Sequence, residues 1–421
     1  MRVPATRPVI LALLLTGCVR LGYGGGDGAP ADRAPTERQV NADGHDDSPR
    51  LHDGAADSSL RDGRPDTSAR DRPAAKAETT QPKLDLKPDQ PKPKPDASGG
   101  PLIAKLPNTG APSARRSTGA ALQELTDRDR IWVYGGYDGS FRSELYSYDT
   151  LAGSWTAVSS GTPAGRERHS LAWAPANALV LFGGQQMIGL FQFKHLDELH
   201  LYGSGSTPAW TQIVKGTAWP TARKDSALVW IPHLGKLLLF GGSAGSTAAA
   251  RFNDVWLLTV GASTASWVQL ATTGTPPSPR GAACVAYDAT SHRLVVFGGE
   301  IADGDSVGDT YQLLLDSSTW QKDAPTGTIP TDRSFSQCAW DPVGQRVVLQ
   351  GGQNDAGSPL DGIYLYDPAG KVWLPVISSI APGPHSDAGA VWSPRLGGMF
   401  FFGGRVTLLG YTNDSWLLKP P

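Results

Sequence analysis

"LVLFGGQ" at 179–185 is an apolar run that stops on two glycines, and nearly the same phrase is written six times. It reads IWVYGGY at 131–137, LVLFGGQ at 179–185, LLLFGGS at 237–243, LVVFGGE at 294–300, VVLQGGQ at 347–353 and MFFFGGR at 399–405. The first glycines fall at 135, 183, 241, 298, 351 and 403, in steps of 48, 58, 57, 53 and 52 residues. A period near fifty belongs to a repeat architecture, in which each unit buries its faces only against its neighbours.

One unit shows the plan. "AACVAYDA" (282–289) is a small-residue apolar segment ending at the turn Thr290-Ser291-His292, and "RLVVFGG" (293–299) is a second strand. After the polar loop "EIADGDSV", "GDTYQLLLD" (308–316) alternates as a third strand, and a turn at Ser317-Ser318 leads to "TWQKDAP", a fourth strand with Trp320. Four short strands separated by turn signals read as an antiparallel meander. Third-strand aromatics recur as Tyr146, Tyr202, Trp256, Tyr311, Tyr364 and Trp416, and fourth-strand tryptophans as Trp155, Trp210, Trp267, Trp320 and Trp373. A four-stranded sheet has two faces to cover, and radial repetition covers both. Small first strands suit the crowded axis, bulky outer strands the widening wedge. Gly-Gly lets the second strand end where a Cβ would not fit.

These residues resemble the kelch repeat family: apolar strand, Gly-Gly, variable loop, third-strand aromatic and fourth-strand Trp, over about 101–421. The resemblance implies an all-β, six-bladed kelch-type β-propeller. The sixth repeat ends at "DSWLLKPP", without a fourth strand. "LIAKLPNTGAPSAR" (102–115) aligns with "WVQLATTGTPPSPR" (267–280), so a strand at about 102–106 is expected to close the last blade, with Ile103 in the Trp position. Closure of this kind hides an exposed edge.

In a meander the second and fourth strands end at one rim, which therefore carries the variable loops 137–143, 185–196, 243–252, 300–307, 353–360 and 405–412. The loop at 185–196 holds Met187, Ile188, Leu190, Phe191 and Phe193, which need either burial over the rim or a partner. The same rim receives a cation from each interblade loop: Arg115 or Arg116, Arg168, Arg223, Arg280, Arg333 and, in place of Arg, His385. In some kelch propellers such residues bind acidic peptide side chains, and the arginine fork suits carboxylates. Acidic residues open the third strands beside them (Glu144, Asp197 or Glu198, Asp254, Asp309, Asp361, Asp414), so a ring of internal ion pairs is the competing expectation. Glu167-Arg168-His169 is the densest titratable cluster at the mouth, and with Arg223 and His385 it supplies the catalytic candidates.

No catalytic constellation emerges. The eight histidines are scattered without metal-ligand spacing, so neither metal nor cofactor is expected. "DGDSVGD" (303–309) lacks the distal acid of a helix-loop-helix calcium site. Galactose oxidase shares the kelch architecture, but its copper ligands have no counterparts traceable here residue by residue. A kelch-type sugar mutarotase or epimerase, needing only Arg, Glu and His around the channel, is the enzymatic alternative, and a structural surface protein the second. Cys284 and Cys338 begin adjacent repeats, offset by one residue relative to their glycine pairs. They either face each other across neighbouring units or, as expected on balance, remain two buried small hydrophobes.

The chain has 421 residues, a formal net charge of −2 and a pI near 6.4, which gives no reason to expect nucleic acid. Arg2 and Arg7 precede the apolar run Val9–Leu15 and Thr16-Gly17-Cys18. This is a secretory signal, with too short a run to span a bilayer as a mature helix. "LTGC" resembles the bacterial lipoprotein box, which implies lipidation of Cys18 and cleavage before it; Val19 after the cysteine favours the outer membrane. Residues 18–100, rich in Pro, Asp, Lys and Gly, cannot bury enough apolar surface to offset their ordering entropy and read as a disordered spacer. The expected domains are thus 1–17 signal, 18–100 lipidated linker and 101–421 propeller. The expected protein is a monomer held at the cell envelope by a lipid anchor, binding a protein or polysaccharide at the loop-rich rim.

Overall fold

Each of the six repeats folds into one antiparallel sheet, and the sheets stand around a common axis as the blades of a propeller. The computed structural model describes residues 100–421 except Ser160, Ala176, Asn177, Phe191, 204–207, Ala262 and Asp303. Cys18, the signal and the linker lie outside the described residues. Blade 4 is typical. Its strands Cys284–Asp288, Arg293–Phe297, Thr310–Leu314 and Thr319–Lys322 pair in sequence order, first strand innermost. Thr273–Gly274 adds a short parallel edge to this sheet.

The last blade closes as expected. Leu102–Lys105 lies antiparallel to Ser415–Lys419, with Ile103 opposite Leu418 and 3% exposed. The final blade is therefore built from both ends of the propeller sequence, and its outer edge is paired.

The recurrent aromatics lock one blade to the next. The ring before each Gly-Gly receives the fourth-strand tryptophan of the following blade: Phe182 meets Trp267 at 5.2 Å, Phe240 meets Trp320 at 5.4 Å, Phe297 meets Trp373 at 4.7 Å and Phe402 meets Trp155 at 4.7 Å. Tyr134 meets Trp210 at 5.4 Å in the same way. The exception is the junction of blades 5 and 6, where the pre-glycine position is Gln350 and the tryptophan position is Ile103. Both aromatics are absent together, as expected of a paired contact worth about 0.5–1.5 kcal/mol beyond its buried area.

The two propeller cysteines depart from the expectation of unbonded hydrophobes. Cys284 and Cys338 form a disulfide between the first strands of blades 4 and 5, with their Cα atoms 5.7 Å apart. In a radial stack one face of a blade meets the opposite face of the next. The one-residue offset puts the two side chains on just those facing surfaces. The bridge closes a 54-residue separation, for which chain entropy gives about 4 kcal/mol. Reductant should lower the melting temperature of the parent protein and leave a Cys284→Ala/Cys338→Ala variant unchanged, as read by calorimetry.

Candidate functional site

The channel mouth is built from a four-residue unit that leads each interblade loop into the next first strand. Its first residue is Arg115, Arg166, Arg223, Arg280, Arg333 or His385. The five guanidiniums turn inward and donate through Nη1 to the carbonyl of the first glycine of their own blade, at 3.1, 3.3, 2.8, 2.9 and 2.8 Å. Four also pair with the acid that opens their third strand. Arg115 reaches Glu144 at 3.2 Å, Arg166 Glu198 at 2.8 Å, Arg223 Asp254 at 2.6 Å and Arg280 Asp309 at 2.6 Å. Arg333 bonds instead to the carbonyl and hydroxyl of Thr331, and burial pulls its pKa down.

One assignment from the sequence changes: Arg166, not Arg168, is the blade 2 member of this ring. Of the two blade 1 alternatives, Arg115 takes the position. The ring arginine stands 17–20 residues before the first glycine of its blade, an interval that excludes Arg168 but includes both Arg115 and Arg116. Arg223, Arg280 and Arg333 lie buried between blades with their donors engaged, and for Arg223 and Arg280 the partners are the third-strand acids that the expected ring of internal ion pairs named, Asp254 and Asp309. His385 occupies the sixth position, buried, with Nδ1 3.1 Å from the carbonyl of Gly383.

These contacts explain why the Gly-Gly phrase recurs in every blade. A Cβ on Gly298 would stand 2.5 Å from the Arg333 carbonyl oxygen of the next blade, and Gly299, at φ +105°, donates its N–H to that oxygen. The glycine pair is where the end of one blade is hydrogen-bonded to the start of the next.

The third residue of the unit lines the channel itself. Ser117, Arg168, Asp225, Ala282, Phe335 and Asp387 all have positive φ, between +52° and +61°. Each donates its N–H to the carbonyl of the same position in the preceding blade, at 2.7–3.1 Å, and Ser117 closes the circle onto Asp387. Six left-handed non-glycine residues cost about 1–3 kcal/mol each; the closed hydrogen-bonded circle satisfies backbone groups that the crowded axis would otherwise strand.

All six line a cavity of about 160 Å³ in the channel. Arg168 reaches across it. Its guanidinium lies 4.6 Å from the ring of Phe335, on the opposite blade of the circle, and 3.2 Å from Asp225. Burial works against the charge of Arg168, but Asp225, Asp387 and Glu167 outweigh it and the net pKa shift is upward. Arg116 stands 3.2 Å from Glu167 and 3.7 Å from Asp387, and Glu167 also accepts from Gln185 at 2.7 Å. Burial draws down the pKa values of Lys224 and Arg405 nearby. Arg116 Nε, Arg168 Nε, Arg405 Nε and Asp387 Oδ2 are buried without a hydrogen-bond partner. Lys224, Asp225, Phe335, Asp387 and Arg405 escaped the sequence reading, although they occupy the same few offsets from Gly-Gly in every repeat.

His169 lines the cavity too. Its Nε2 accepts from the N–H of Gly119 at 3.3 Å, and burial, with Arg166 close by, pushes its pKa down to about 3. It is therefore neutral near pH 7, and Glu167 beside it is held by Arg116 and Gln185. A histidine depressed on folding takes up protons mainly when unfolded. Its stabilising effect is complete above pH 6.5 and is lost as pH falls towards 3. In urea titrations the parent should lose stability across this window, and His169→Gln should lose less.

Above the mouth, the loop-rich rim carries an aromatic strip across three blades. Tyr411 of blade 6 is 6.3 Å from Tyr137 of blade 1, Tyr137 is 5.3 Å from Phe141, and Phe141 is 6.3 Å from Phe193 of blade 2. Arg116 stacks on Tyr137 and Tyr411 at 5.1 and 5.8 Å, joining the strip to the charged mouth. The 185–196 loop is a β-hairpin, Gln185–Gly189 with Gln192–His195. Its Met187, Ile188, Leu190 and Phe193 are 47%, 63%, 83% and 45% exposed, so they do not fold down over the rim. Phe191 lies outside the described residues. Leu408 and Leu409 are exposed at the other end of the strip.

A closed six-bladed propeller whose second strands end in Gly-Gly and whose outer strands carry recurrent aromatics is a propeller of the kelch class. Residues 103–260 and 230–421 match the model of the KLHDC2/KLHL20/DRC7 Kelch-repeats domain, and the chain belongs to this Kelch-repeat family. It is 27% identical to Kelch domain-containing protein 2 of Bos taurus over 304 residues, which cover 64% of this chain and 70% of that protein. It is 28% identical to Host cell factor 2 of Homo sapiens over 262 residues, 56% of this chain but only 31% of that protein. The solved structure of YjhT covers 75% of this chain and 99% of its own, with a TM-score of 0.57 and 16% identity, a likeness of fold alone.

Proposed function

We propose that this chain is an exported, lipid-anchored binding module whose propeller takes an extended segment of a protein partner on the rim above blades 6, 1 and 2. The strip from Tyr411 through Tyr137 and Phe141 to Phe193, with its exposed leucine, isoleucine and methionine tips, carries the reading. Aromatic and methionine side chains supply contact area and adaptability. The guanidiniums of Arg116 and Arg405 beneath the strip place positive charge where carboxylate groups of the same segment would be favoured. A protein partner is favoured over a polysaccharide because the exposed tips are aliphatic as well as aromatic. The Cys284–Cys338 disulfide accords with export, since such bonds persist in oxidising compartments. Cys18 is the anchoring residue in this reading.

A photo-crosslinking amino acid placed at Leu190 in cells should give a discrete adduct that disappears when Phe141 and Phe193 are both changed to Ser. The same probe at Val343, exposed on the opposite rim, should give none. Equal labelling at the two positions, or an adduct indifferent to the serine changes, would refute the assignment. Cys18→Ser should move the protein from the detergent phase to the aqueous phase; unchanged partitioning would exclude the anchor.

A further inference from the structure

We propose that the rim opposite the long loops carries a site for a divalent zinc-class ion, formed by His233, His292 and Asp316 where blades 3 and 4 meet. The residues come from three turns. His233 lies in the short 3-10 turn Pro232–Leu234 between the first two strands of blade 3. His292 joins the corresponding strands of blade 4, and Asp316 precedes the fourth strand of that blade. One ligand atom from each lies within 4.8 Å of the other two. The two imidazoles stack with centroids 3.9 Å apart and planes 11° apart.

Two further contacts organise the donors. His233 Nδ1 is 2.6 Å from the hydroxyl of Tyr287, whose ring is buried in the core between blades 3 and 4. Metal-binding histidines are usually fixed through their second nitrogen in this manner. With Nδ1–H donating to the Tyr287 oxygen, the Nε2 lone pair of His233 is available to an ion. His292 sits in a left-handed turn, φ +48°, with Nδ1 3.0 and 3.3 Å from the two oxygens of Asp316. That spacing is close to the separation of two ligands on one tetrahedral ion with bonds of about 2 Å. An ion replacing the shared proton therefore requires only side-chain rotations, which the exposed His233 and Asp316 permit.

The donor set selects the metal. Two imidazoles and a carboxylate suit zinc, and also copper or nickel, whereas calcium and magnesium prefer oxygen ligands alone. Water completes the coordination at this exposed position. The bound ion ties blade 3 to blade 4, next to the junction of blades 4 and 5 that the disulfide ties.

The test is calorimetric titration of chelator-stripped full-length protein with zinc chloride, with melting temperature followed in parallel. One saturable equivalent and a raised melting temperature are expected, and magnesium chloride should do neither. The His233→Ala/His292→Ala pair should abolish both effects, the zinc-induced rise being read against that variant's own metal-free melting temperature. Tyr287→Phe should weaken binding about tenfold, and Asp316→Asn at least as much. Absence of saturable zinc binding, or binding of equal affinity and stoichiometry in the double-histidine variant, would overturn the site.

Discussion

Deletion of residues 102–106 from the otherwise intact chain is expected to lower stability by about 5 kcal/mol. Burying the Ile103 side chain contributes about 2 kcal/mol, and each hydrogen bond of the lost ladder about 1 kcal/mol net. The ladder pairs Leu102 to Lys105 with Lys419 to Trp416, and the Leu106 N–H adds a bond of 2.8 Å to the Ser415 carbonyl. Lys105 also leaves Asp414, 2.8 Å away. For a domain of this size the melting temperature should fall by about 7 °C. The uncovered edge of Ser415–Lys419 should promote association in size-exclusion chromatography, because an unpaired edge offers a template for strand pairing. A melting temperature within a degree or two of the parent would mean that closure at blade 6 is dispensable.

Arg280→Met is the second change of this size. The guanidinium is buried and holds the Gly298 carbonyl at 2.9 Å, Asp309 at 2.6 Å, and the carbonyl and hydroxyl of Ser278 at 3.0 and 2.9 Å. Methionine fills much of the space and leaves the Gly298 carbonyl without its donor and Asp309 with only solvent and Lys322, 3.9 Å away. Removing one partner of a buried pair costs about 3–5 kcal/mol. Asp309 retains some solvent, which argues for the lower part of that range. Arg280→Met/Asp309→Leu should recover part of the loss, since replacing both partners removes the stranded charge. Chemical denaturation of the three variants measures this, and a single variant as stable as the parent would assign the arginine to the surface after all.

The repeat phrase, the tryptophan positions and the missing fourth strand of the last unit were legible in the chain, because each is local and recurs with the period of the fold. The acids that pair with Arg223 and Arg280 were legible for the same reason. Arg168 stands at the channel mouth as expected, but it was grouped with the buried arginines because three titratable residues follow one another at 167–169, and the bond from Arg166 to the Gly183 carbonyl marks the buried position.

The sequence by itself determined the number of blades, the order of strands within each and the closing role of Ile103, since these follow from side-chain periodicity and turn chemistry repeated every fifty or so residues. Only the tertiary structure decided what meets between blades: Arg168 with Phe335 across the axis, Cys284 with Cys338, His233 with His292, and Phe141 with Phe193. The physical reason is geometric. Within a blade, neighbours are separated by one turn and their register is set by the strand pleat. Between blades, contact depends on the radius of the ring and the angle between sheets, which arise only when all six sheets have closed.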